Sequence, residues 1–216
     1  MIRFSKEETT MNQLSDSAAK NLVDFETMRP HIHSRLLSSK YRDLSNMVKE
    51  CITDTIYQTW YATCETSDDG KTVAQAAVTD RLLEIWNVEI DAVKQAALQN
   101  DSNCYRIVQV TGADIDDTND DIHAMLAVTN ADKLNGAIGI LDSEIQARLA
   151  ELYTGGYYAI PSSIHEMLVV PKDHVDPESL ASMISEINQA CEVLRPEERL
   201  ADVPFTVESG TLVPAC

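Results

Sequence analysis

The stretch from Gly155 to Pro171, Gly-Gly-Tyr-Tyr-Ala-Ile-Pro-Ser-Ser-Ile-His-Glu-Met-Leu-Val-Val-Pro, constrains the fold more than any other part of the chain. Two short apolar runs flank a polar kink, and both read as strands. Pro161 removes a backbone donor and pushes Ile160 toward extended geometry. Ser162 and Ser163 can bond their own backbone, so the chain must change direction at this strand junction. Ser162, Ser163, His165 and Glu166 are therefore displayed together.

The rest of the chain supplies elements to pack around these strands. Residues 1–20 are polar and read as a flexible tail, leaving 21–216 as a single α/β domain. From Ala18 to Glu50, apolar residues such as Leu22, Met28, Ile32, Leu36 and Leu44 recur mostly at three- and four-residue steps. That spacing predicts amphipathic helices broken near Pro30. Ile56–Thr63 and Val73–Val78, joined by a turn at Asp68-Asp69-Gly70-Lys71, read as a β-hairpin. Thr79-Asp80 caps a short helix, and a second runs from Ile90 to Gln99. Cys104–Val110, His123–Thr129 and Gly136–Leu141 read as strands. Asp142-Ser143-Glu144 opens a helix that Gly155-Gly156 stops, Asp176-Pro177 opens another running to about Cys191, and Phe205–Val213 reads as a final hairpin. The fold expected is α+β: a helical N-terminal lead-in and a mixed sheet of about five to seven mostly antiparallel strands, with helices packed on it.

Charge narrows the function. Acidic residues number 35 against 17 Lys and Arg, a formal net charge of −18. A surface that grips nucleic-acid phosphate needs the opposite balance, so direct nucleic-acid binding is excluded. Acid of this kind keeps a crowded protein soluble, and it suits a basic partner. The five cysteines form no Cys-x-x-Cys pair and leave one over, which fits reduced thiols. The N-terminus lacks the apolar core of a secretory signal, and no run approaches the ~20 apolar residues of a membrane helix. A cytoplasmic protein without membrane or cofactor is expected.

Three chemistries can be set against the kink and its surroundings. Ser163 and His165 share one side of an extended backbone, and Glu166 or a remote acid could orient the imidazole, as nucleophilic catalysis needs. Yet there is no Gly-x-Ser-x-Gly elbow, and side chains two apart on a strand do not ordinarily approach to ~3 Å. His165-Glu166 begins like a zinc-protease motif, but Val169 stands where the second histidine belongs, so no metal is assigned; His31 and His33 diverge on a helix. The acidic run Asp114–Asp121 lacks the glycine and terminal glutamate of a calcium loop and reads as solvated. Gly155-Gly156 lacks the Lys-Ser/Thr of a phosphate loop.

Taken with Glu84-Ile85-Trp86-Asn87-Val88, Ala96-Ala97-Leu98-Gln99-Asn100, Leu126-Ala127-Val128-Thr129-Asn130 and Ile187-Asn188, the run Ala159–Pro171 resembles an uncharacterised bacterial family known only as a domain of unknown function and common in anaerobic gut bacteria. The resemblance spans about residues 25–210, and its specific signature is Pro-Ser-Ser-Ile-His-Glu at 161–166. Members of that family often carry a longer N-terminal region. The resemblance implies no activity, substrate or cofactor. The leading expectation is a non-enzymatic cytoplasmic interaction or regulatory module binding an unidentified protein, with Pro161, Ser162, Ser163, His165, Glu166 and Asn188 as its recognition surface. A hydrolase using Ser163 or Ser162 with His165 is the alternative, and an acidic decoy for a basic nucleic-acid-binding protein is a third.

Overall fold

The computed structural model describes residues 20–66, 73–110, 125–190, 194–208 and 210–216. The expected tail, the turn at 68–71 and the acidic run 114–121 lie outside the described residues, apart from Lys20. In chain order the elements are α1 (Phe25–Met28), a 3₁₀ turn (Arg29–His31), β1 (Ile32–Ser38), β2 (Lys49–Cys51), β3 (Ile56–Thr66), β4 (Val73–Ala77), α2 (Asp80–Trp86), α3 (Ile90–Asp101), β5 (Tyr105–Gln109), β6 (Leu126–Asn130), a 3₁₀ helix (Gly136–Leu141), α4 (Ser143–Leu152), β7 (Tyr157–Ser163), β8 (Glu166–Pro171), a 3₁₀ turn (Lys172–His174), α5 (Pro177–Ala190), a 3₁₀ turn (Pro196–Glu198), β9 (Phe205–Glu208) and β10 (Thr211–Pro214).

This is an α+β fold with two sheets rather than one. The first has the order β1-β3-β2 with β4 also on β3; the second runs β10-β9-β7-β8-β6-β5. The described backbone gathers into two compact units, its residues within 1–34, 44–50 and 59–102 in the first and within 35–43, 51–58 and 103–216 in the second.

In the first unit, β3 and β4 form the expected antiparallel hairpin, with Tyr61 opposite Ala77. Its core joins Trp60, Val78, Leu82, Trp86, Val93 and Ala96. The Thr79 hydroxyl accepts from the Leu82 amide at 3.1 Å and so starts α2 where a capping threonine should. Asn87, at φ 53°, ends it.

Among the described residues the expected N-terminal helices are confined to 20–22 and α1, because the segment after Pro30 is strand β1. A four-residue step such as Ile32 to Leu36 is one helical turn but equally two strand periods. β1 is buried on both faces, Ile32, Leu36 and Ser38 on one and Arg35 and Leu37 on the other, so its sequence carries no alternation to betray it.

In the second unit, β7 and β8 lie at the middle of the six-stranded sheet, which is why both are apolar on both faces. Ile160 and Val170 pack with Leu180 and Ile184 of α5. Ala159, Met167 and Val169, on the opposite face, are wholly buried. The register runs regularly to Ile160 opposite Leu168, slips, and closes at Ser163 opposite Glu166. The slip falls at Pro161-Ser162, where proline has no N–H to give to the ladder.

The other correction concerns Gly136–Leu141, expected as a strand and found as a 3₁₀ helix with its first five residues buried. A short buried apolar run has no period that distinguishes strand from helix. Its glycines decide the matter by close approach, since a Cβ on Gly139 would stand 2.7 Å from the Tyr105 ring and one on Gly136 would stand 2.6 Å from the Asn130 amide nitrogen. No helix among the described residues is long and apolar enough to cross a membrane.

Candidate functional site

Ile164 and His165 form the two-residue tip between Ser163 and Glu166. Groups from three other segments hold it. The Gly136 and Ala137 amides donate to the carbonyls of His165 and Ile164 at 3.1 and 3.3 Å, and the Thr129 hydroxyl donates to the same His165 carbonyl at 2.9 Å. From the other direction, the Ile164 amide donates to the Glu198 carbonyl at 2.8 Å. Each of these bonds is modest, but together they tie both residues of the tip to the surrounding chain.

The side chains are committed as well. Ser163 Oγ accepts from the His165 amide at 3.0 Å, the local serine bond expected of a turn. His165 Nδ1 accepts from the Asn135 amide at 3.1 Å, and Nε2 faces Glu198 Oε1 at 3.5 Å. An imidazole whose Nδ1 is an acceptor carries its proton on Nε2, so it donates toward the carboxylate. The Ser162 hydroxyl donates to Glu166 Oε1 at 3.3 Å. Neither serine therefore meets an imidazole nitrogen able to take its proton.

Glu198 is the electrostatic centre of this cluster. Arg195 donates to its Oε1 from Nε and Nη2 at 3.1 and 2.7 Å, and the Arg195 amide donates to Oε2 at 3.2 Å. Burial pushes the carboxyl up, but the hydrogen bonds from His165 and Arg195 and the guanidinium charge outweigh it and bring the group down to about 2. A carboxyl depressed on folding from its ordinary 4.5 gives stability that is complete above pH 4.5 and is lost as pH falls toward 2. Arg195 is 37% exposed, so solvent screens the pair. The advantage of wild type over Glu198→Gln in urea unfolding should therefore shrink by about 1 kcal/mol between pH 7 and pH 3; a constant difference would contradict this assignment.

The six expected recognition residues do not share one surface. Pro161, Ser163 and Asn188 are buried, whereas Ser162, His165 and Glu166 are half-buried. The Asn188 amide donates to the Ala201 carbonyl at 3.1 Å and to Asp202 Oδ1 at 2.7 Å, and Asp202 also takes Tyr41 and Lys40. Asn188 belongs to that cluster rather than to the hairpin tip.

Asn135, Thr129, Arg195 and Glu198 were missed in the sequence. Only the Arg195-Pro196-Glu197-Glu198 run carried a signal, a capping box in which the glutamate returns to the amide three residues earlier. In the first unit a second polar group joins His33 Nδ1, the Ser34 amide and the Ser34 hydroxyl to the Asp101 carboxylate at 2.8, 2.9 and 2.5 Å. The serine and the histidine there both address the carboxylate rather than each other, as in a structural tie. Among the described residues no three His, Cys, Asp or Glu side chains come together as a metal site.

A family of unknown function has a model that matches residues 3–207 of this chain. No curated protein and no solved structure matches it.

Proposed function

The chain belongs to that family, DUF5688, which brings no reaction with it, and we propose that it is a non-enzymatic interaction or regulatory module whose contact surface is the rim of the β7–β8 tip, Ser162, His165 and Glu166. The observation that carries this reading is the commitment of both His165 nitrogens, Nδ1 to Asn135 and Nε2 to Glu198, in a side chain that remains 23% exposed. A side chain held this way is a good fixed contact, because little conformational freedom is left to lose on binding. The net charge of −18 favours a basic partner surface and steers its approach. A reducing, cytoplasmic setting suits Cys51 and Cys216, which are exposed free thiols.

The test places a photo-crosslinking phenylalanine at position 162 in the native host. The expected result is one discrete adduct with a basic protein, lost when Glu166→Lys reverses the neighbouring charge. A fluorophosphonate probe should label neither Ser162 nor Ser163. Labelling of either serine would favour the hydrolase reading, and the absence of any adduct would end the interaction reading.

A further inference from the structure

Where α4 ends and β7 begins, the second unit contains a cavity of about 230 Å³, lined by Tyr153, Thr154, Gly156, Tyr157, Lys172 and Val207. Its two aromatic walls are the Tyr153 and Tyr157 rings, 6.2 Å apart between centroids. Burial pushes the Tyr153 hydroxyl up to about 12 and raises that of Tyr157, so both stay neutral at ordinary pH. The cavity's single cation is Lys172. Its side chain lies along Gly156, whose φ of +85° and missing side chain leave the room: a Cβ there would stand 3.3 Å from Lys172 Cδ and 3.9 Å from Nζ. The ammonium sits 5.2 Å from the centroid of the Tyr158 ring. Lys40 and Lys94 are paired with Asp202 and Glu50, but among the described residues no carboxylate forms an ion pair with Lys172. In a chain with twice as many acids as bases, a lysine beside a cavity without such a pair is positioned for an anion from outside.

We propose that this cavity binds a small monocarboxylate with a flat apolar body, its carboxylate on the Lys172 ammonium and its body against Tyr153, Tyr157 and Val207. Size supports the class, because a cavity of about 150 Å³ already accommodates benzene, and the additional space here admits a ring with a carboxyl group. Charge supports a monoanion over a dianion: one lysine supplies one charge, and the field of a protein at −18 repels further negative charge. Aromatic and aliphatic side chains interrupted by a few polar groups, here Thr154 and Lys172, are the ordinary composition of a small-ligand site. This inference does not depend on the interaction surface at the hairpin tip.

Titration calorimetry of the full chain with phenylacetate tests it, with inorganic phosphate and benzyl alcohol as comparison probes. Phenylacetate should bind, and Lys172→Met, which keeps the alkyl stem, should weaken it about ten- to a hundredfold, as loss of one charge-assisted hydrogen bond does. Ala150→Trp, on the exposed face of α4 that borders the cavity, should block binding without touching the charge. Thermal unfolding of both variants should match wild type, which separates lost binding from lost fold. No binding of phenylacetate by the wild type overturns the proposal, as does equal binding by Lys172→Met or tighter binding of phosphate or benzyl alcohol.

Discussion

Gly136→Ala should destabilise the protein by about 2–4 kcal/mol, the combined cost of overpacking a closed site and losing hydrogen bonds that converge on it. The new Cβ would stand 2.6 Å from the Asn130 amide nitrogen, 2.8 Å from Thr129 Oγ1 and 2.9 Å from the Thr129 carbonyl carbon. Two of those atoms are backbone in β6 and cannot turn aside. The third, the Thr129 hydroxyl, already donates to the His165 carbonyl, as does the Gly136 amide, so any shift that relieves the clash loosens the tip of the β7–β8 hairpin. Gly210→Ala is the control. It also places a Cβ on a glycine, here at φ +81° with nothing within 4 Å, and should cost only about 1–2 kcal/mol of backbone strain. Urea midpoints of the two variants compare them directly; a Gly136 variant no weaker than the Gly210 variant would show that the tip is not held from β6 and the 3₁₀ helix.

Trp60→Ala should cost about 3–5 kcal/mol, the range for emptying a large aromatic site in a core. Trp60 is 2% exposed and joins Trp86, Val78 and Val93 in the core of the first unit, with the Lys94 ammonium 5.8 Å from its ring. The chain has two tryptophans, and the other, Trp86, donates its indole N–H to the Leu22 carbonyl at 2.7 Å in the same core. Trp86 emission in the variant therefore reports on that core alone, and its urea midpoint should fall well below that of wild type. An unchanged midpoint would mean that the core refills the space, contrary to its close packing.

Much of the fold was legible because its signals are local. Thr79, Asp142 and Asp176 announce helix starts, since a side-chain oxygen can satisfy an amide two or three residues ahead whatever lies elsewhere in the chain. The apolar runs around Pro161 announce central strands for the same reason. The two misread segments, Ile32–Ser38 and Gly136–Leu141, are those in which local patterning is ambiguous. A strand buried on both faces has no alternation, and a six-residue run with five residues buried has too few turns to show a period.

The candidate site divides along the same line. From its residues alone, the chain determined a bend between two buried strands, with Ser162, Ser163, His165 and Glu166 gathered at it, and a formal net charge of −18. Tertiary structure decided what those side chains bond to. The partner of His165 Nδ1 is an amide 30 residues away, the partner of Nε2 is a carboxylate 33 residues away, and Asn188 is drawn to Asp202 instead. A hydrogen bond acts over about 3 Å whatever the sequence separation of its partners. A motif can therefore specify which groups are offered, while only the packed chain determines which of them remain to meet anything else.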